Sequence, residues 1–363
     1  MGLPLPLTLN NDWHNNSNMI KKILISTIII AAIIVSYLLW NEFFSKRVNE
    51  PAKQLVTNLN VPWSISILPD ESIILTERAG NLVIINDTIT RITINEVTSI
   101  GEGGLLGLTL HPEFETNKYI YLYYTYTLNG KTLNKVIRQQ LINKTLTNTT
   151  IIIDNIPGAS IHNGGRIKFG PDNKLYITTG DSANSSLAQN LNSLAGKILR
   201  LNDDGMIPAD NPYNNSPVYS YGHRNPQGLA WDKDNNLWAT EHGPSTMDEL
   251  NYITPGSNYG WPVITGDMKA EGMKQPVINS GTDTWAPSGI AYYNGSLFFA
   301  GLRGQAVYEY NIERESLTEH FKKEYGRMRD IIIIDNYFYV LTNNRDGRGV
   351  PSNNDDIILK TSI

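Results

Sequence analysis

Six stretches of this chain repeat one chemistry, a polar turn that runs into a strand of aromatic and β-branched residues. Pro69-Asp70-Glu71-Ser72 leads into Ile73-Ile74-Leu75-Thr76, and Gly170-Pro171-Asp172-Asn173 into Leu175-Tyr176-Ile177-Thr178. Asp232-Lys233-Asp234-Asn235-Asn236 precedes Leu237-Trp238-Ala239-Thr240, and Tyr293-Asn294-Gly295-Ser296 precedes Leu297-Phe298. Asp335-Asn336 before Tyr337-Phe338-Tyr339-Val340 and His111-Pro112-Glu113-Phe114 before Tyr119-Ile120-Tyr121-Leu122 complete the set. Pro, Asp, Asn and Gly make hairpin turns, while β-branched and aromatic residues fit a pleated, half-buried surface. The units recur every 40 to 60 residues or so, the period of propeller blades. A β-sandwich would need a different strand count, and long amphipathic helical patterns are nearly absent. The expectation is an all-β, six-bladed β-propeller.

One segment breaks the pattern. From Ile23 to Trp40 the chain runs without a charge, long enough at about 1.5 Å per residue to span a bilayer's hydrocarbon core. It ends in Tyr37-Leu38-Leu39-Trp40, an interfacial aromatic anchor and a poor cleavage site for a signal peptide. The expected layout is a disordered tail over 1–18, a transmembrane anchor over 19–40, a polar tether over 41–55, and a propeller over 56–363 outside the cytoplasm. Met19-Ile20-Lys21-Lys22 reads like a natural start. Charged residues are only 18% and the net charge is -5, so no basic surface is available for nucleic acid. The chain has no cysteine, which excludes thiolate metal sites and cysteine nucleophiles. Asn86-Asp87-Thr88, Asn143-Lys144-Thr145 and Asn148-Thr149-Thr150 are sequons open to glycosylation outside a cell.

Other segments are not ordinary blade filler. In order they are Gly101-Glu102-Gly103-Gly104-Leu105-Leu106-Gly107, His162-Asn163-Gly164-Gly165-Arg166, Thr179-Gly180-Asp181, and Leu194-Ala195-Gly196-Lys197. Tyr221-Gly222-His223-Arg224-Asn225-Pro226 follows, then Glu241-His242-Gly243-Pro244 and Asn258-Tyr259-Gly260-Trp261-Pro262. Gly326-Arg327-Met328-Arg329-Asp330 and Thr342-Asn343-Asn344-Arg345-Asp346-Gly347 close the series. Over roughly residues 57–360 this ordered set resembles the soluble sugar dehydrogenases that use pyrroloquinoline quinone (PQQ), the aldose sugar dehydrogenase branch most of all. The resemblance implies a six-bladed propeller with PQQ and calcium in a cleft at its top. It also implies oxidation of aldoses at C1.

The residues can be tested against that chemistry. PQQ carries three carboxylates and needs fixed cations. Arg327 and Arg329, two apart on a strand, point to one face and suit carboxylates as paired forks. The resemblance adds Arg303 and Glu102 to the cofactor site, with Arg224 and Asn225 at the quinone oxygens. It makes His162 the general base, oriented by Asp181, and Arg224 a stabiliser of negative charge on the reduced quinone. It places calcium on the carbonyls of Gly243 and Pro244, and a second calcium near Asp248 and Tyr259. Glu102 stands where glucose dehydrogenases have glutamine, so this anion needs a compensating cation. Thr282–Ser288 does not reproduce the substrate clamp of the glucose enzymes, which leaves the particular sugar open. His111, His223 and His242 read as structural, and Asn343–Asn354 as a mobile loop near the cleft. A lipid quinone or a surface cytochrome would serve as electron acceptor. Two other readings stand beside this one: a calcium-dependent propeller hydrolase such as a lactonase, and a non-catalytic binding propeller.

Overall fold

The computed structural model describes Gly2, residues 21–38 and residues 52–362. The tail over 1–18, apart from Gly2, and the tether over 41–51 lie outside the described residues. Lys21–Leu38 is a helix long and apolar enough to cross a membrane, with none of its surface buried. Twenty-four strands form six four-stranded sheets. The chain is a six-bladed β-propeller.

Every blade is a meander in which neighbouring strands pair antiparallel. The innermost strands are Pro62–Ile67, Leu105–Leu110, Ile167–Phe169, Pro226–Trp231, Pro287–Tyr293 and Met328–Ile334 for blades one to six. The turn after the innermost strand carries the repeat seen in the sequence. Glu71, Asn173, Asn235, Asn294, Asp335 and Asn336 all have positive φ in these turns. The Asp70, Asp172 and Asp232 carboxylates accept the amides of Ser72, Lys174 and Asp234 at 3.1, 3.1 and 2.9 Å. This is the local hydrogen bonding that makes Asx residues good turn formers.

The ring closes with a strand the sequence did not announce. Lys53–Val56 pairs antiparallel with Ile358–Thr361 and becomes the outermost strand of the sixth blade. The tether expected to run to residue 55 therefore gives way to the propeller at Lys53. Short and polar, this segment lacks the aromatic signature of the other strands. Joining both ends of the chain in one blade removes an open edge between first and last blades.

Blades pack through large apolar side chains. Tyr121 and Tyr123 of blade two are buried with Ile167, Ile177 and Leu199 of blade three, and Trp63 of blade one joins the same cluster. The axis is polar instead. The Arg166 guanidinium donates to Asp330 Oδ2 at 2.8 Å, to Ser64 Oγ at 3.0 Å and to the Gln227 carbonyl at 2.9 Å. Asp330 Oδ2 also accepts the Ile65 amide at 3.1 Å. One buried ion pair thus ties blades one, four and six to the entry of blade three. Its charges are hydrogen-bonded on several sides, the condition under which a buried pair is tolerated.

Candidate active site

In an antiparallel meander, the start of the innermost strand and the end of the second strand lie at one end of the sheet. Each blade therefore delivers two segments to the same face of the ring. His162 lies just before blade three, Arg224 just before blade four and Arg327 just before blade six. Asp181, His242, Arg303 and Asp346 lie just after second strands. A cleft of about 300 Å³ on this face is lined by Glu102, His162, Arg224, His242, Arg303 and Arg327, together with Gly243, Pro244 and Arg348. Beneath it, sharing Glu102, His242 and Arg348, lies a small hollow that adds Trp63, Arg78 and Arg329.

The histidine and its partner meet as expected. His162 Nδ1 lies 2.7 Å from Asp181 Oδ1, and the pair is nearly buried. In the tautomer with Nδ1 donating to this carboxylate, Nε2 is the ring nitrogen left free to accept. Trp261 Nε1 donates to Asp181 Oδ2 at 2.8 Å and the Ala183 amide to Oδ1 at 2.9 Å, which fixes the carboxylate. Two glycines permit the approach. A Cβ on Gly180 would lie 2.0 Å from the His162 carbonyl oxygen, and one on Gly101 would lie 2.1 Å from that of Ser160. His162 itself is left-handed, with φ at 58°. Its amide donates to Glu102 Oε2 at 3.1 Å.

The rest of the site is cationic. Arg327 Nη2 pairs with Asp346 Oδ2 at 2.8 Å, and Arg329 donates to Gln227 Oε1 at 2.8 Å and Asn343 Oδ1 at 3.1 Å. Burial pulls the Arg329 guanidinium down to about 9; Asp346 opposes that shift, while Arg327 and Arg78 deepen it. Burial likewise pulls His242 down to about 4, opposed by Asp248 and Glu102, so its imidazole is neutral. Glu102 stays charged. Burial would raise it, but the His162 amide and the Arg348 guanidinium hold it below the ordinary carboxylate range. Arg348 Nη1 lies 2.8 Å from Glu102 Oε1 and is the cation that this extra anion requires.

Donors are left over. Arg224 Nε, Asn225 Nδ2, Arg327 Nε and Arg329 Nε are buried with no hydrogen-bond partner in the protein, as is His242 Nε2. Buried donors without acceptors are costly; Arg224 and Arg327 line the cleft and Arg329 the hollow beneath it, while Arg138 Nε and Arg166 Nη2 are unpartnered elsewhere. A groove of about 510 Å³ beside Glu96 and Tyr124 is larger. Chemistry rather than volume locates the site.

The glucose/sorbosone dehydrogenase family matches residues 59–358. The chain belongs to the glucose/sorbosone dehydrogenase family. It is 32% identical to aldose sugar dehydrogenase YliI of Escherichia coli, over 81% of this chain and 90% of that one. It is 38% identical to quinoprotein glucose dehydrogenase B of Acinetobacter calcoaceticus, over 61% of this chain and 54% of that one. Among solved structures, the PQQ-bound aldose sugar dehydrogenase of Streptomyces coelicolor superposes with a TM-score of 0.81 at 38% identity, covering 86% of this chain and 98% of that one.

In this glucose/sorbosone dehydrogenase Asp248 and Tyr259, expected from sequence near a second calcium, both have partners within the protein. Asp248 Oδ2 accepts Thr284 Oγ1, the Trp285 amide and the Ala286 amide at 2.9, 2.7 and 2.8 Å, while Oδ1 accepts the Gly243 amide at 2.9 Å. Asp248 ties the Gly243 turn to the segment entering blade five. Tyr259 stacks on His223 at 4.7 Å, and its hydroxyl donates to the Tyr252 carbonyl at 2.6 Å. Among the described residues no group of three or more His, Asp or Glu side chains is arranged to hold a metal. Trp285 is buried against Phe299 and Tyr308, so its ring is core rather than a sugar platform.

Trp261, Arg348, Asp346 and Glu241 were missed as site residues. Trp261 could have been found from the Asn258–Pro262 motif, and Arg348 from the demand that Glu102 be neutralised. Glu241 sits under Arg224, accepting its amide and also His223 Nδ1 at 2.8 Å, while His223 Nε2 meets Ser220 Oγ at 2.8 Å. This serine–histidine–glutamate row has the order of a hydrolase triad, but Ser220 and His223 are wholly buried and no substrate reaches them.

Glu241 also faces Glu249 across paired strands. Burial first, then the Glu241 charge, push Glu249 up to about 8. Folded protein then holds a proton that the unfolded chain releases near 4.5, so stability falls as pH climbs from there toward 8. Glu249→Gln, neutral throughout, removes this component. Thermal unfolding from pH 5 to 8 should show a shallower decline in Tm for the variant; parallel curves would disprove the assignment.

Proposed function

We propose that this chain oxidises an aldose at C1 to the lactone, using PQQ and calcium, with His162 as general base. The observation that carries the reading is the set of arginines Arg224, Arg303, Arg327 and Arg348 lining one cleft beside the His162–Asp181 pair, with Arg329 in the hollow beneath and unpartnered buried Nε atoms on Arg224, Arg327 and Arg329. They fit a planar anion rich in acceptors, and the relatives include PQQ-bound and quinoprotein enzymes. A neutral sugar alone would leave this many guanidinium groups without purpose. Non-catalytic binding would leave the His162–Asp181 pair without one.

Bound PQQ supplies the acceptor for the hydride that leaves C1. The residues do the rest. Arg303, Arg327 and Arg329 would hold the PQQ carboxylates, and Arg224 with Asn225 would supply donors to its quinone oxygens. Gly243 and Pro244, which line the cleft, offer backbone carbonyls to calcium, a cation that prefers oxygen ligands. His162 Nε2 takes the proton from the C1 hydroxyl as the C–O double bond forms. Asp181 keeps the ring in the tautomer that can do so and stabilises the imidazolium that results. Trp261 flanks the base, and Arg224 lies over its ring at 5.4 Å. Residues 19–40 anchor the chain in a membrane with the propeller outside the cytoplasm, which puts a lipid quinone or a surface cytochrome within reach as electron acceptor.

The test uses the full chain in detergent, titrated with PQQ in excess calcium and assayed on a panel of aldoses with a dye acceptor. Stoichiometric PQQ uptake and dye reduction with at least one aldose are expected, with activity lost on chelation of calcium. Failure to retain PQQ and to oxidise any sugar would overturn the reading; turnover that survives chelation would remove calcium from it.

A further inference from the structure

The segment Asn343–Asn354 was expected to be a mobile loop. It is pinned over the cleft instead. Asn344 Oδ1 accepts the Arg327 amide at 2.8 Å, and its Nδ2 donates to the Tyr325 carbonyl at 2.9 Å. A Cβ on Gly349 would lie 2.5 Å from the Asn344 carbonyl oxygen, so only glycine lets the loop fold back this tightly.

Polar contacts run through this loop from one side of the site to the other. Arg327 Nη2 holds Asp346 Oδ2, and Asp346 Oδ1 accepts the Arg348 amide at 2.9 Å. Arg348 Nη1 holds Glu102 Oε1 at 2.8 Å. Glu102 Oε2 accepts the His162 amide at 3.1 Å, and His162 Nδ1 meets Asp181. Both oxygens of Asp346 and both of Glu102 are used.

We propose that Arg348 is a positioning residue for His162: its guanidinium fixes Glu102, which holds the backbone of the base in its left-handed conformation. The proposal rests on the reading of His162 as base. Glu102 is the pivot, because a carboxylate beside a site built for anions is repelled by the ligand it borders. Arg348 neutralises it and sets its rotamer. His162, at a φ that favours glycine, has its amide oriented by that carboxylate. An error of about 1 Å in a catalytic group can cost roughly a hundredfold in rate. The same chain of contacts makes the loop common to the cofactor arginine Arg327 and the base.

The decisive variants are Arg348→Met, which keeps the apolar stem, and Arg348→Lys, which keeps a charge. Arg348 is 54% exposed, and exposed pairs add little to stability, so Tm serves as the control. Arg348→Met is expected to lower kcat by about 10- to 100-fold with PQQ affinity nearly unchanged, and Arg348→Lys to recover part of the loss. Unchanged kcat would overturn the proposal. So would a loss confined to PQQ affinity, which would make Arg348 a cofactor ligand. A second readout needs no cofactor: the ring resonances of His162, identified by their loss in His162→Gln, should shift or broaden in Arg348→Met. Unmoved resonances would also overturn it. If the wild type neither binds PQQ nor oxidises sugar, the proposed function fails, and those resonances still decide the role of Arg348.

Discussion

His162→Ala should keep PQQ bound while lowering kcat by about 10²- to 10⁴-fold, the range expected when a positioned general base is removed. The split follows from what His162 touches. Its ring partner is Asp181 and its amide partner is Glu102, and neither contact involves the arginines that form the anion site. Deleting the imidazole therefore spares the clamp. On the proposed mechanism it removes the group that accepts the C1 hydroxyl proton, so hydride departure would leave a protonated and higher-energy carbonyl. Alanine also keeps the backbone amide on Glu102, and the fold has no reason to change. Stopped-flow measurement of PQQ reduction by sugar separates this step from reoxidation by the dye. Wild-type rates of reduction in the variant would place the base elsewhere, and neutral His242, with its unpartnered Nε2, would be next to test. Loss of PQQ binding in step with loss of turnover would instead make His162 part of the clamp.

The parts of this site that were legible in the sequence are those written within one segment. The turn-and-strand repeat announces blades because the inner three strands of every blade are contiguous in sequence. Arg327 and Arg329 could be paired from their spacing alone, although Arg327 precedes the strand Met328–Ile334 and the ladder shifts register between Met328 and Asp330. What could not be read depends on which loops converge. The partners of Asp248 are an example: Thr284, Trp285 and Ala286 bring their donors from the segment entering the next blade, 36 to 38 residues on. Arg348 has no visible role until the ring closes and brings it to Glu102. Trp261 reaches Asp181 across 80 residues for the same reason. Ring closure by Lys53–Val56 was hidden because an edge strand exposed to solvent needs neither aromatic nor β-branched side chains.

Arg327→Ala should weaken PQQ binding by about 10²-fold or more, since truncating one partner of a buried, hydrogen-bonded charge pair costs on the order of 2–5 kcal/mol. Two effects must be kept apart. The Arg327 and Asp346 side chains are 8% and 2% exposed, so removing the arginine strands a buried carboxylate and destabilises the fold by about 3–5 kcal/mol. That carboxylate would also repel an anionic cofactor. Arg327→Ala combined with Asp346→Asn removes the stranded charge. Tm should recover much of its loss in the double variant, while PQQ affinity stays low because the guanidinium is still missing. PQQ fluorescence quenching gives the affinity, and thermal unfolding without cofactor gives the stability. Recovery of affinity together with Tm would mean that Arg327 only balances Asp346. Persistence of the defect assigns it to the clamp, where its Nε has no partner in the protein.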